Sequence, residues 1–226
     1  MEWWHGFWDE LGADILRATY QHLFLTFFAV IIATIIAVPV GVMLARSRKQ
    51  AFAGSVLGAA GVIQTIPAIA LIAVIMLLFV LLGLTGIGQP PALTALVLYA
   101  LLPVMRNTFT GIRQVDPAVI EVARGMGMTP QQVLFRIQLP LALPFIMAGL
   151  RIATVWTIGA AALCSLIGAG GLGDLIIRGL RSVQYESVVA GTVPAAAMAV
   201  LFDILFGRIE RWFTPAGMQQ PGGQDR

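Results

Sequence analysis

The stretch LFLTFFAVIIATIIAVPVGVMLA, residues 23–45, followed at once by Arg46-Ser47-Arg48-Lys49, decides the fold class. As a helix it would be roughly 35 Å long against a hydrocarbon core of about 30 Å, enough to cross a bilayer. Basic residues beside a span stay in the cytoplasm, so this helix is expected to enter from outside. The acidic Glu2, Asp9, Glu10 and Asp14 ahead of it agree with that direction. Residues 1–22 then read as an external interfacial segment, with Trp3, Trp4 and Trp8 as an outer aromatic belt.

Composition places the whole chain in lipid. Its 226 residues are 58% hydrophobic and 11% charged, with mean hydropathy +0.88, whereas about a quarter of a soluble domain is charged. The single Cys164 excludes an internal disulfide, and His5 and His22, the only histidines, form no metal-ligand spacing. No metal and no cofactor are expected. Met1-Glu2-Trp3-Trp4 lacks the basic start of a signal peptide, so the first span is expected to direct its own insertion. The net charge of +3 sits at helix ends, which reads as membrane topology and not as a nucleic-acid patch.

From about Ala53 to Gly83 the next apolar block would be roughly 46 Å long if straight, too much for one upright span. A break is expected at Gln64-Thr65-Ile66-Pro67, because Pro67 cannot donate to the carbonyl of Ile63 and leaves it exposed. Gly86 to Pro91 turns outside, and Ala92 to about Phe109 returns toward Arg106 and Arg113. Counting the broken block as one crossing keeps both basic clusters inside. Leu141 to about Leu163 then leads out, and Val188 to Phe206 comes back to Arg208 and Arg211. The expectation is an all-α polytopic membrane protein of about five transmembrane helices, with the N-terminus outside and the C-terminus cytoplasmic. Spans one to three occupy residues 23–111, a cytoplasmic loop 112–140, spans four and five 141–207, and a cytoplasmic tail 208–226 whose end is rich in Pro, Gly and Gln.

The cytoplasmic loop carries helix-start signals. Asp116-Pro117 is an N-cap with proline at the first helical position, and Thr129-Pro130-Gln131-Gln132 has capping-box spacing. Two short helices follow, with Gly127 at the reversal between them and Pro140 ending the second. Within this loop, Glu121-Val122-Ala123, three residues, Gly127, nine residues and Ile137-Gln138-Leu139-Pro140 resemble the signature Glu-Ala-Ala, three, Gly, nine, Ile-x-Leu-Pro of ABC importer permease subunits. Every fixed position matches except Val122. The resemblance implies a type I importer permease fold, like that of the methionine permeases, and a cytoplasmic ATPase dimer that grips this loop. Glu121, Val122, Ala123, Arg124, Gly125, Met126, Gly127 and Met128 are its expected coupling residues. A helix-turn-helix DNA reader, the other sense of two capped helices, is disfavoured because only Arg124 and Arg136 face phosphate and membrane spans flank the loop.

Gly168-Ala169-Gly170-Gly171-Leu172-Gly173 literally fits G-x-G-x-x-G, but a nucleotide fingerprint needs a preceding strand. Permeases for betaine and methionine carry a similar glycine-rich turn, so Gly168, Gly170, Gly171 and Gly173 are expected to form a tight external turn near the gate. The sole lysine, Lys49, precedes Gln50, so this chain has no P-loop. Hydrolysis falls to a partner and the chain itself is not expected to be an enzyme.

Arg151 lies mid-span, where an unpaired charge costs on the order of 3 kcal/mol, and Asp203 is a candidate partner. Polar groups on apolar helices, Gln64, Thr65 and Pro67 at the break with Asn107 and Thr108 further down, are candidates for a translocation path; satisfying the broken backbone is the alternative role for Gln64 and Thr65. The stretches 61–68, 98–108 and the glycine turn look like permeases for osmoprotectants such as glycine betaine, choline and carnitine, with methionine or another amino acid as the other substrate reading. Tyr99, Phe109 or Trp156 would favour a quaternary ammonium by cation–π attraction. The resemblance further implies an extracytoplasmic binding protein and a second permease copy or a sister permease. An ATP-independent secondary transporter or channel is the reading from another class; the spans hold almost no acids beyond Asp203 for ion coupling.

Overall fold

The structure is a computed structural model that describes residues 2–213, with side chains from residue 11 onward. Nine α-helices run through it: α1 Glu2–Arg46, α2 Gln50–Thr65, α3 Ala68–Leu81, α4 Gln89–Arg113, α5 Pro117–Gly125, α6 Pro130–Val133, α7 Leu139–Leu163, α8 Leu172–Ser182 and α9 Tyr185–Phe213. Four stretches are single helices long and apolar enough to cross a membrane, and α2 with α3 makes a fifth if that pair, bent by 103°, is one span. The break falls where proline was expected to force it, between Thr65 and Ala68.

Helices α1, α4 and α7 form the centre. Small residues let them approach closely: Ala29, Ala33 and Ala37 of α1, Ala92, Ala95 and Ala100 of α4, and Ala153, Ala160 and Ala161 of α7 are buried. At Gly41 a Cβ would stand 2.8 Å from the Met105 carbonyl, and at Gly149 it would stand 2.9 Å from that of Pro103. Dispersion and shape, with no hydrophobic drive inside lipid, hold such contacts, so each extra methyl here would push a helix pair apart. The outer faces reverse the soluble pattern. Phe27, Ile35, Leu77, Leu81, Leu201 and Ile204 are all exposed.

Three expectations change. The helix carrying the first span starts well ahead of Leu23: α1 runs unbroken from residue 2, and its stretch long and apolar enough to cross a membrane is Leu11–Arg46. Its early turns bury Ile15 and Ala18 in a cluster with Leu172 and Leu175 of α8 and Ala190 of α9. Trp3, Trp4 and Trp8 carry side chains outside the described residues, as does the whole of 214–226. Pro140 does not end a short helix either. Helix α6 passes into a π-helical stretch, Leu134–Gln138, which continues directly as α7. In that stretch Leu139 N–H donates to the Leu134 carbonyl, one residue further back than in an α-helix, and this register change accommodates a proline with no N–H at position 140. Finally, the Ile63 carbonyl is not left bare by Pro67: Ile66 N–H donates to it at 3.2 Å.

Candidate functional site

The loop between α4 and α7 is built as its sequence signals ask. Asp116 Oδ1 accepts from Ala118 N–H at 2.8 Å, with Pro117 in the first turn of α5. At the other end Met128 N–H donates to the Ala123 carbonyl at 3.1 Å and Gly127 N–H to that of Arg124 at 2.9 Å. These two bonds make a Schellman ending whose C′ residue is Gly127 at φ 82°. Thr129 and Gln132 then exchange side-chain and backbone bonds in a full capping box.

The result is a short rigid elbow that presents its outer side. Ala123 is 1% exposed on the side where α5 packs near α6, whereas Val122 and Met126 are 62% and 71% exposed. Glu121, Arg124, Gly125 and Gly127 are exposed as well, and Met128 is half-buried. Val122, the one departure from the signature, therefore points away from the turn and crowds nothing within the chain. Val119, Val122 and Met126, three and four residues apart, share one face of α5 and its cap as an apolar stripe between charged flanks.

At the opposite end of the bundle the glycine-rich turn is clamped by α1. Gly171 N–H donates to Gln21 Oε1 at 3.1 Å. The His22 ring lies against Gly171, where a Cβ would come 3.2 Å from its Nδ1, and His22 Nε2 donates to the Ile158 carbonyl of α7 at 3.0 Å. A carbonyl only accepts, so the proton is on Nε2; the buried Nδ1 meets no partner among the described residues. Gly168, Gly170 and Gly171 all have positive φ, and a Cβ on Gly173 would run into the Ala162 carbonyl. Gly88 N–H, opening α4, donates to the Ile167 carbonyl at 2.7 Å, so the turn also touches the loop after α3. The sequence reading found the glycines but missed Gln21 and His22, a polar pair standing just ahead of the first uncharged run.

The break in the α2–α3 pair and a second proline answer each other. Pro103 has no N–H for the Tyr99 carbonyl four residues back, and Gln64 Nε2 donates to that carbonyl at 3.2 Å instead. In return Tyr99 hydroxyl donates at 3.3 Å to the carbonyl of Ile66, at the break itself. Thr65 Oγ1 donates to the Val62 carbonyl. The other proposed path residues behave differently. Thr108 is fully buried against Gly41 and bonds back to the Val104 carbonyl, inside the α1–α4 contact and away from any open face. Asn107 Nδ2 bonds the Pro103 carbonyl, and its Cβ lies where Gly149 of α7 approaches.

Arg151 finds the acid expected of it. Its Nε and Nη2 meet both carboxylate oxygens of Asp203, and Nη1 lies 3.7 Å from Glu210.

Residues 37–215 match the model of a protein family described as "Binding-protein-dependent transport system inner membrane component". The chain belongs to that family. This permease is 43% identical over 209 residues to the choline transport system permease protein OpuBB of Bacillus subtilis, an alignment covering 92% of this chain and 93% of that one. It is 41% identical over 215 residues to the osmoprotectant import permease protein OsmW of Salmonella typhimurium, covering 95% and 98%. Among solved structures it resembles the MetNI methionine ABC transporter in an inward-facing conformation, at 26% identity and a TM-score of 0.80, over 91% of this chain and 99% of that one. The permease is thus a multi-pass component of the inner membrane with the fold expected from its loop signature.

Proposed function

We propose that the chain is the translocating subunit of an ATP-driven, binding-protein-dependent importer of osmoprotectants, compounds with a quaternary ammonium group such as glycine betaine, choline and carnitine. The observation that carries the substrate class is the likeness, end to end and above 40% identity, to permeases named for choline and for osmoprotectants. The exposed elbow at Gly127 supports the coupling role. A docking surface on a motor subunit calls for small and apolar residues outward on a stiff mount, which Val122, Gly125 and Met126 provide.

In this reading Arg46, Arg113 and Arg208 mark the cytoplasmic side and the glycine turn the outer side. A separate ATPase dimer closes on α5 and its turn, and a binding protein delivers substrate from outside. A second copy or a sister permease completes the conduit, because five spans are too few to enclose one. Gln64, Thr65 and Pro67, on the bent and partly exposed α2–α3 pair, line it. Import without nucleotide would instead be the mark of a secondary transporter.

The test is co-purification with the ATPase and binding protein encoded beside it, followed by uptake in proteoliposomes loaded with ATP. Labelled choline and glycine betaine should accumulate and labelled methionine should not. Accumulation of methionine alone, or uptake that ignores ATP, would sink the proposal.

A further inference from the structure

Three arginines remote in the chain line one cleft. Arg46 is the last residue of α1, Arg113 the last of α4, and Arg124 stands in the last turn of α5. With Gln138 and the apolar Ile112 and Val133 they line an open space of about 410 Å³, and among the described residues no Asp or Glu lines it. The ion pairs found among the described residues engage Arg151 and Arg178 instead. Two of the three guanidinium groups, all at exposed positions, also contact the chain. Arg46 Nη2 donates to the Pro130 carbonyl at 3.3 Å, and Arg113 stands 5.9 Å from the centre of the Phe109 ring.

Like charges that share a cleft repel one another, and an anion entering between them reverses the sign of that term. Guanidinium forks match phosphate oxygens two at a time. Arg46 and Arg113 close two spans, which sets the cleft at the depth of lipid headgroups. We infer that the cleft binds the phosphodiester headgroup of an anionic phospholipid, with Arg46 and Arg113 on the phosphate and Arg124 closing over it from α5. The bound lipid ties the elbow to the ends of α1 and α4. The inference rests on the membrane-spanning fold and is independent of which substrate is carried.

The test uses the full purified chain, delipidated in neutral detergent and titrated with phosphatidylglycerol or phosphatidylcholine, with bound lipid counted by native mass spectrometry. Phosphatidylglycerol should be retained about tenfold better, and Arg46→Gln with Arg113→Gln should cut that preference about fivefold. Arg48→Gln with Arg208→Gln removes the same charge from exposed positions outside the cleft and should leave the preference within about twofold. Arg46→Lys with Arg113→Lys should keep at least about half of it, which separates lost charge from lost fold. An equal drop in both glutamine pairs would mean diffuse surface attraction and overturn the site. So would competition by inorganic phosphate as strong as by the lipid. Absence of any preference for phosphatidylglycerol, together with loss of the ATPase from the Arg46→Gln, Arg113→Gln variant, would overturn it in favour of a protein contact.

Discussion

Arg151 Nε lies 2.6 Å from Asp203 Oδ1 while its Nη2 lies 2.7 Å from Oδ2, so α7 and α9 are joined by a two-point ionic bridge inside the membrane-spanning region. A bidentate pair of this kind is costly to halve, because the survivor is left charged in an apolar setting. Asp203→Asn and Arg151→Met should each lower the thermal midpoint in detergent by several degrees. The double replacement Arg151→Met with Asp203→Leu should lower it less than either single change. Additive losses would show that the two groups do not depend on each other.

Gln64 and Tyr99 offer a second coupled test. Gln64→Leu leaves the Tyr99 carbonyl without a donor, a loss of about 1–3 kcal/mol. Pro103→Ala supplies the missing N–H, so Gln64→Leu should be nearly harmless in that background. A double-mutant cycle by chemical denaturation reads the coupling. A value near zero would remove the reciprocal arrangement from consideration.

The glycine turn predicts sharp discrimination between neighbours. A methyl on Gly173 meets backbone of α7, whereas one on Gly159 meets nothing within 4 Å. Gly173→Ala should therefore cost about 1–3 kcal/mol or prevent assembly, and Gly159→Ala should leave the melting profile alone. Equal tolerance would show that the α7–α8 contact yields.

At the elbow, Gly127→Val forces a branched residue to φ 82°, about 1–3 kcal/mol of strain held locally. Membrane insertion and the melting midpoint should persist while substrate-stimulated ATP hydrolysis collapses in the reconstituted complex. Val122→Ala, at an exposed position, should change stability by less than about 0.5 kcal/mol. Full stimulation in Gly127→Val would detach this turn from coupling.

Asp174, on the short helix α8 after the glycine turn, has its carboxyl pushed above the usual range, chiefly by burial, with Arg178 pulling it partly back. A raised acid binds its proton more tightly folded than unfolded. Its contribution is fully present below the ordinary carboxylate range and lost as pH rises through the elevated value. Asp174→Asn should remove that decline from a plot of melting midpoint against pH. A curve unchanged in shape would mean the carboxyl is solvated.

What the chain disclosed in advance was local. The caps at Asp116 and Thr129, the break before Pro67 and the reversal at Gly127 each depend on residues within four positions, and all are where those residues put them. The salt bridge was legible too, because few groups inside the spans can answer Arg151. Contacts that join distant segments were not. Nothing near Pro103 announces that Gln64 will serve the carbonyl it strands, and nothing near Gly171 names Gln21. Helix α8 was missed although Leu172, Leu175 and Ile176 alternate with Asp174, Arg178 and Arg181 at helical spacing; the glycines drew the reading to a bare turn. Pro140 was read as a stop because proline usually is one, whereas the π register at Leu134–Gln138 lets the helix pass through it.

That passage has a mechanical result. Since α6, the π stretch and α7 are one rod, a load applied beside Gly127 crosses no slack joint before it reaches Arg151, roughly 30 Å away along the axis. Arg151 and Asp203 fasten that rod to α9, so a displacement of α7 is shared by two helices and not borne by one.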